Sequence, residues 1–450
     1  MAAVNMTTGN VQKHLISYTI PLVLGNLFQL MYNVVDSVIA GRFIGKEALA
    51  AAGVANPVMS IVILSISGVC VGSSVLMSEF FGAGDERKLK SEMATSVLFG
   101  LYFSLAVAAI GFGLTIPLLR LIRVPKDLLP MAGTYLRIIF LGTPFTYFYN
   151  ALAASLKSIG DSRTPLRFLM ISSILNAVLD IIFIGFLGFG IVCSATTTVI
   201  AEGVSAGLSM WHVYRNVPAL HLERDEWKID HLLLKKTLHY GSVTALQQSV
   251  QPIAKLLIQG AVNPLGVDVI AAFNAAERVD EFALLPERSM GQSMTTFVAQ
   301  NRGAGRMDRV KEGFLKGMKL EILYGVTICF VLLVLKEPLM RLFVANEGNE
   351  VLIAHGVSYL TLMAFFYLLP ALSNGEQGFF RGMGNVRMNL KCTLLQTSLR
   401  VIFTYLLTPV MGISGIAVAC AVGWSAMMLY EIPCSLRVIR DFSKMKYEKN

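Results

Sequence analysis

The chain has 450 residues, 54% of them hydrophobic and 15% charged, with a formal net charge of +9. Soluble domains carry about 25% charged residues, and the depletion here is local: long apolar stretches at 55–78, 97–119 and 168–187 alternate with short charged ones. A spanning helix needs roughly 20 mostly apolar residues, whereas barrel strands read as ~10 alternating residues, so the composition excludes a water-soluble fold and the run length excludes a β-barrel.

Taken in chain order, the pattern predicts spans at about 16–41, 52–80, 92–118, 129–156, 166–187 and 190–213. A polar segment at 214–234 follows, then spans at about 236–262, 270–299, 316–335, 352–379, 389–410 and 412–436. The expected class is an all-α polytopic membrane protein with twelve helices in two six-helix lobes: an N-lobe over 1–213, a cytoplasmic linker over 214–234 and a C-lobe over 235–450. The first residues lack the charged start and short apolar core of a signal peptide. Basic residues gather on one side, as in 87–90, 302–316 and 437–449, while the other side has Arg42, Lys46, Arg120, Arg123, Lys126, Lys336 and Arg341. Cytoplasmic loops carry the positive excess, which places both termini in the cytoplasm and explains the basic balance without nucleic acid. Cys70, Cys193, Cys329, Cys392, Cys420 and Cys434 show no metal-ligand spacing and read as small apolar residues in helices. No metal cluster or nucleophile motif appears, so neither an enzyme nor a cofactor is expected.

The two halves repeat one another. GKEALAAAGVANPV at 45–58 matches GVDVIAAFNAAERV at 266–279, and EFFGAGDERK at 79–88 matches QNRGAGRMDR at 300–309, both at a shift of 221. SLKSIGDSRTPL at 155–166 matches FFRGMGNVRMNL at 379–390 at a shift of 224, and GIVCSATTTVI at 190–200 matches GISGIAVACAV at 412–422 at a shift of 222. An even number of spans per half makes the repeats parallel, related by an axis along the membrane normal, which is a plan of secondary transporters.

These landmarks carry a family resemblance. The first helix with Pro21 and Asp36, ALAAAGVANP at 48–57, FFGAGDERK at 80–88, YNALAASLKSIGDSRTPL at 149–166 and ILNAVLDIIF at 174–183 resemble spans one and two, the basic loop after span two, and spans four and five of the multidrug and toxic compound extrusion (MATE) family. QNRGAGRMDR and GFFRGMGN at 378–385 are the C-lobe counterparts. The resemblance covers nearly the whole chain. It implies export of amphipathic, often cationic, compounds across the cytoplasmic membrane against inward proton or sodium flow. Span seven has Gln247, Gln248 and Gln251 where the branch typified by NorM has an acid, so the chain looks nearer the DinF-like, proton-coupled type.

An ionisable group inside a span marks function by default. Asn26, Gln29, Asn33 and Asp36 share one face of the first helix, and Ser172, Asn176 and Asp180 recur every four residues in span five. The resemblance puts the family's N-lobe cation site on these positions, so the candidate coupling residues are Asp36, Asn176, Asp180 and Thr198, with Tyr135 as a hydroxyl partner. Two carboxylates close together in low dielectric do not both ionise easily, and the same oxygens suit a sodium ion. Protons are favoured as the coupling ion and sodium stays open. Candidate substrate-cavity residues are Asn26, Gln29, Asn33, Asn150, Gln248, Gln251, Lys255 and Met290, with Glu277, Asp280, Glu281 and Glu287 of span eight. The span-eight charges have two readings, an acidic wall that attracts cations or an ion-pair brace on span seven. The expected partners are small amphipathic or cationic substrates and membrane lipids, with a monomer sufficient. The alternatives are a flippase for lipid-linked saccharides and an exporter of one metabolite or peptide.

Overall fold

The computed structural model describes residues 4–343 and 350–447; the side chains at 33, 35–38, 40–41, 46–49, 343 and 442–447 lie outside the described set. The described backbone forms thirteen α-helices: α1 (Val11–Ile39), α2 (Lys46–Ala83), α3 (Glu86–Leu121), α4 (Leu129–Ser158), α5 (Arg163–Asp180), α6 (Ile191–Asn216), α7 (His231–Val262), α8 (Val267–Gly303), α9 (Met307–Phe343), α10 (Glu350–Phe366), α11 (Leu368–Gly382), α12 (Val386–Met411) and α13 (Ile413–Tyr447). Eight of the described helices are long and apolar enough to cross a membrane, and nine when the bent pair α10 and α11 counts as one. Helices α4, α7 and α8 have the length, at 30, 32 and 37 residues, but carry the polar and charged residues singled out above.

The tenth predicted span is broken. Its two halves, α10 and α11, meet at 47°. Pro370, in the first turn of α11, has no N–H to give the carbonyl of Phe366, the last residue of α10. Two further helices end in π-helical turns, Ala40–Ile44 after α1 and Ile181–Phe186 directly after Asp180. Such turns recur at functional sites, because one extra residue swings the side chains round the helix.

Backbone glycines confirm the internal repeat. Left-handed φ occurs at Gly45 (110°) and Gly266 (98°), at Gly84 and Gly305 (both 69°), and at Gly160 (88°) and Gly384 (78°). The fourth pair is Gly188 (71°) and Gly412 (58°); Gly190, matched to Gly412 by sequence, is at −80°. Capping repeats too. The Asp161 carboxylate accepts from the Thr164 amide (3.0 Å), and its counterpart Asn385 accepts from the Met388 amide (3.3 Å).

The helices sort into two compact units that do not follow the sequence-based lobes to the residue. One contains 4–5 and Ile20–Ala245, the other Met6–Thr19 and everything described from Leu246 onwards. The first half of α7 therefore packs within the N-terminal unit. Asp230 caps it, accepting from the Leu232 and Leu233 amides (2.9 and 3.1 Å), and its own amide donates to Thr95 on α3 (2.9 Å). Thr237 donates to the buried Glu92 carboxylate at 2.6 Å. The predicted linker is likewise tied down, with Lys90 reaching Glu226 at 3.2 Å.

In that unit α4 packs on α2, α3 and α6. The Tyr147 ring covers Gly100, where a Cβ would come within 1.6 Å of it, and it joins Ile66, Val69, Cys70, Ala151 and Ala154 in an apolar cluster. The C-terminal unit uses the start of the chain as a strap. The buried Arg309 guanidinium donates to the carbonyls of Met6 (3.0 Å), Thr8 (3.2 Å) and Gly9 (3.0 Å) and to Asn301 Oδ1 (3.2 Å). The Met6 amide is held by Gln300 Oε1 at 3.0 Å.

Candidate functional site

Within the N-terminal unit the polar stripe of α5 faces inward. Ser172, Asn176 and Asp180 are all buried, Asp180 at 0% exposure. Asp180 ends α5 where the π-helical turn begins. Thr197 on α6 donates to one carboxylate oxygen of Asp180 through a short hydrogen bond. With the Asn176 amide oriented to satisfy both of its ends, Nδ2 donates to Asp180 Oδ2 (3.1 Å) and to the Tyr32 hydroxyl (2.9 Å), while Oδ1 accepts from the Thr198 amide (3.0 Å). Helices α1, α5 and α6 thus converge on one carboxylate. The groups around it are hydroxyl and amide oxygens and nitrogens, a set that accommodates an ionised acid, a protonated one or a hard cation at its oxygens.

Asp180 and Asn176 come together as the sequence predicted. Thr198 enters through its backbone amide, while its hydroxyl donates to the Ser194 carbonyl (2.9 Å). Its neighbour Thr197 makes the side-chain contact. Tyr135 packs against the apolar cluster of Leu119, Val124, Leu136 and Phe140. The side chains of Asp36 and Asn33 lie outside the described residues. Tyr32 was missed, although it stands one turn before Asp36 on the same helix face. Beside this network, Thr146 donates to Glu202 through a short hydrogen bond, and Asn150 Nδ2 donates to the Thr146 carbonyl (2.8 Å). Asn26 is exposed and Gln29 half-buried.

The C-terminal unit disperses the span-eight charges over different surroundings. Lys255 pairs with Glu277 (3.7 Å) and Glu281 (3.3 Å) across α7 and α8, an ion-paired brace at these three positions. Asp280 is buried and accepts from the Tyr359 hydroxyl (3.0 Å) and, through a short hydrogen bond, from Tyr367. Tyr367 sits in the break between α10 and α11, so the bent helix aims its hydroxyl at an acid. Glu287 is fully buried, at 0% exposure, which takes it off any cavity wall in this structure. Met290 accepts a weak bond from the Thr19 hydroxyl (3.5 Å). Gln251 donates to Gln396 (3.3 Å), and Gln247 to Gln377 (2.8 Å) and Thr393 (3.1 Å); Gln248 is half-buried one residue on. Sequence reasoning passed over Glu321 and Glu431, both at most 1% exposed. Their only signal was an isolated acid inside an apolar run.

Comparison with known proteins fits this architecture. The MatE family profile matches residues 21–182 and 244–406, one copy in each half of the chain. The probable multidrug resistance protein YpnP of Bacillus subtilis (strain 168) is 30% identical over 419 residues, covering 92% of this chain and 93% of that protein. The FAD transporter of Shewanella oneidensis is 24% identical over 423 residues, with 90% of each chain covered. Among solved structures, a MATE in complex with MaL6 superposes with a TM-score of 0.92 at 22% identity, over 99% of this chain and 100% of that one. A MOP superfamily transporter from Pyrococcus furiosus, described as having a binding pocket of reverse polarity, superposes with a TM-score of 0.89 at 22% identity, over 98% of both chains.

Proposed function

The chain belongs to the MatE family of multidrug and toxic compound extrusion transporters, and from that premise we propose that it is an antiporter exporting amphipathic, often cationic, organic compounds in exchange for protons. Its seat is the cytoplasmic membrane, with both termini on the cytoplasmic side. The observation that carries the coupling assignment is Asp180, buried at 0% exposure and gripped by Thr197 and Asn176 at a π-helical turn. A carboxylate in a membrane span is retained for use, because its burial is costly. Asp180 and Asn176, with Thr198 and with Asp36 on the partner helix, bind the coupling ion. Binding alters the hydrogen bonds that hold α1, α5 and α6 together, and that change drives the chain between inward- and outward-facing forms. The same oxygens suit sodium, which competes with the proton.

The test is dye efflux from proteoliposomes under a proton gradient or a sodium gradient imposed separately, with Asp180→Asn and Asp36→Asn compared with the native chain. Transport driven by the proton gradient and lost in both variants is the expected result. Undiminished gradient-driven efflux in Asp180→Asn would remove the assignment.

A second reading, export of one anionic metabolite, is favoured by the likeness to the FAD transporter over 90% of the chain. Competition of dye efflux by flavin nucleotides separates the two.

A further inference from the structure

The C-terminal unit holds acids that the coupling reading does not use. Helix α8 presents two of them two turns apart, in opposite surroundings. Asp280 accepts hydrogen bonds from two tyrosines. Glu287 is 0% exposed, and neither of its carboxylate oxygens accepts a hydrogen bond from any described residue. Glu321 on α9 is 1% exposed and its Oε1 is equally without a partner; the contacts of α9 with α8 at Gly317 and Met294 and at Tyr324 and Ala283 lie on either side of the two acids.

The surroundings of the pair are tightly packed. Gly375 on α11 faces the Glu321 side chain, and a Cβ there would lie 3.4 Å from Glu321 Cγ. The α8 and α11 backbones approach at Gly291 and Gly378, where a Cβ on Gly378 would meet the Gly291 carbonyl oxygen at 2.4 Å. Tyr324 on α9 spans to α8, donating to the Ala283 carbonyl at 2.7 Å. The titratable and charged groups that bear on the two acids are Arg288 on α8, Tyr324 on α9 and Tyr367 at the start of α11. Arg288 is exposed and hydrogen-bonds neither oxygen of Glu287. Asn374 on α11 is the neutral polar neighbour of Glu287; one of its two amide N–H groups donates to the Pro370 carbonyl (2.9 Å). Pro286, immediately before Glu287, leaves the Phe282 carbonyl without its helical donor.

The internal repeat supplies a control. At the shift of 221, Glu287 corresponds to Ile66 and Glu321 to Gly100. In the N-terminal unit this place is dry: Ile66 lies in the apolar cluster around Tyr147, whose ring covers Gly100. The helix packing common to both units therefore does not call for a carboxylate at either position. Two carboxylates without a buried cation between them do not both stay ionised in a low-dielectric interior.

We propose that Glu287 and Glu321 form a proton-binding site, a carboxylic acid pair that holds a shared proton inside the C-terminal unit, apart from the Asp180 network. Each acid gives the other the hydrogen-bond partner it lacks when one of them carries the proton. The pair titrates as a unit, and it exchanges its proton only when the packing of α8, α9 and α11 loosens.

The test is infrared spectroscopy of the purified native chain and of Glu287→Gln, Glu321→Gln and the double variant in lipid nanodiscs at neutral pH. A protonated-carboxyl C=O band is expected in the native chain, shifted in each single variant and reduced in the double one. In the native chain, isotope-labelled glutamate tests whether any buried glutamic acid is protonated, Glu92 and Glu431 included, so its lack of a band remains decisive should a variant fail to fold. Absence of a glutamic acid band in the labelled native chain, or an unchanged band in the folded double variant, overturns the proposal. Loss of the band on adding sodium at constant pH overturns it as well, because the pair would then be a sodium site. Transport is not measured, so the outcome is independent of the antiport reading.

Discussion

In the N-terminal unit the buried acid Asp180 closes α5 beside a π-helical turn. At its counterpart in the C-terminal unit, 224 residues on, stands Thr404, buried and bonded back to the Arg400 carbonyl at 2.7 Å. The reverse holds for Asp280, Glu287 and Glu321, whose counterparts are Met59, Ile66 and Gly100. The two units share helix boundaries and left-handed glycines but not their charges. A duplicated backbone is kept by turns and close packing, which both copies need in order to fold. Buried acids cost stability in either copy, so an acid present in one copy alone points to what that copy does.

The largest effect that would break this contrast is on transport. Asp180→Asn is expected to cut gradient-driven efflux at least about tenfold, the change produced by 1.4 kcal/mol, while Thr404→Ala leaves it within about twofold. Equal losses in vesicle assays of the two variants would mean that position, not charge, matters.

Next in size is the strap. Arg309 is buried on backbone carbonyls, whereas its counterpart Lys88 is an exposed partner of Asp85 at 2.8 Å. Arg309→Ala strands several buried acceptors at about 1–3 kcal/mol each, and Lys88→Ala costs less than about 0.5 kcal/mol. Thermal unfolding in detergent distinguishes them.

Glu287→Ile writes the N-terminal residue into the C-terminal unit. The single change leaves Glu321 buried without its partner, at about 1–3 kcal/mol, whereas making both positions apolar removes the buried polar groups together and is neutral or stabilising. A fall in melting temperature in Glu287→Ile that is recovered when Glu321 is also made apolar is therefore expected, and no recovery would make Glu287 a packing residue. Tyr367→Phe removes one donor from Asp280 at the helix break and should cost about 1–3 kcal/mol, read from the same melting curves.

The smallest effect concerns the first repeated loop. Asp85 caps α3, accepting from the Lys88 amide at 3.0 Å, and the Lys88 side chain and amide hold its carboxyl below the ordinary carboxylate range. Asp85→Ala should cost about 1 kcal/mol. Because the folded carboxyl titrates lower than the unfolded one, this contribution is present above the ordinary carboxylate value and fades as pH falls through the depressed one. Melting curves of the native chain and the variant should converge in acid.

Much of the site was legible before the structure. The four-residue recurrence of Ser172, Asn176 and Asp180 fixed one face of α5, because side chains four apart share a helix face. The choice between Thr197 and Thr198 was not legible. Adjacent helical residues point about 100° apart, and only the rotation of α6 against α5 decides which hydroxyl meets Asp180. Tyr359 and Tyr367 were invisible as partners of Asp280 for a related reason: they lie 79 and 87 residues away on a helix whose bend depends on Pro370.

The sequence by itself determined the membrane setting, the repeated halves, the glycine turns between helices and the acid of α5. These depend on local hydropathy, backbone sterics and helical period, all written in short stretches of chain. Only the tertiary structure decided that the compact units exchange the first turns of α1 and α7, that Lys255 pairs with both Glu277 and Glu281, and that Glu287 is fully buried. Those outcomes are set by which helix faces meet, and long-range packing alone decides that.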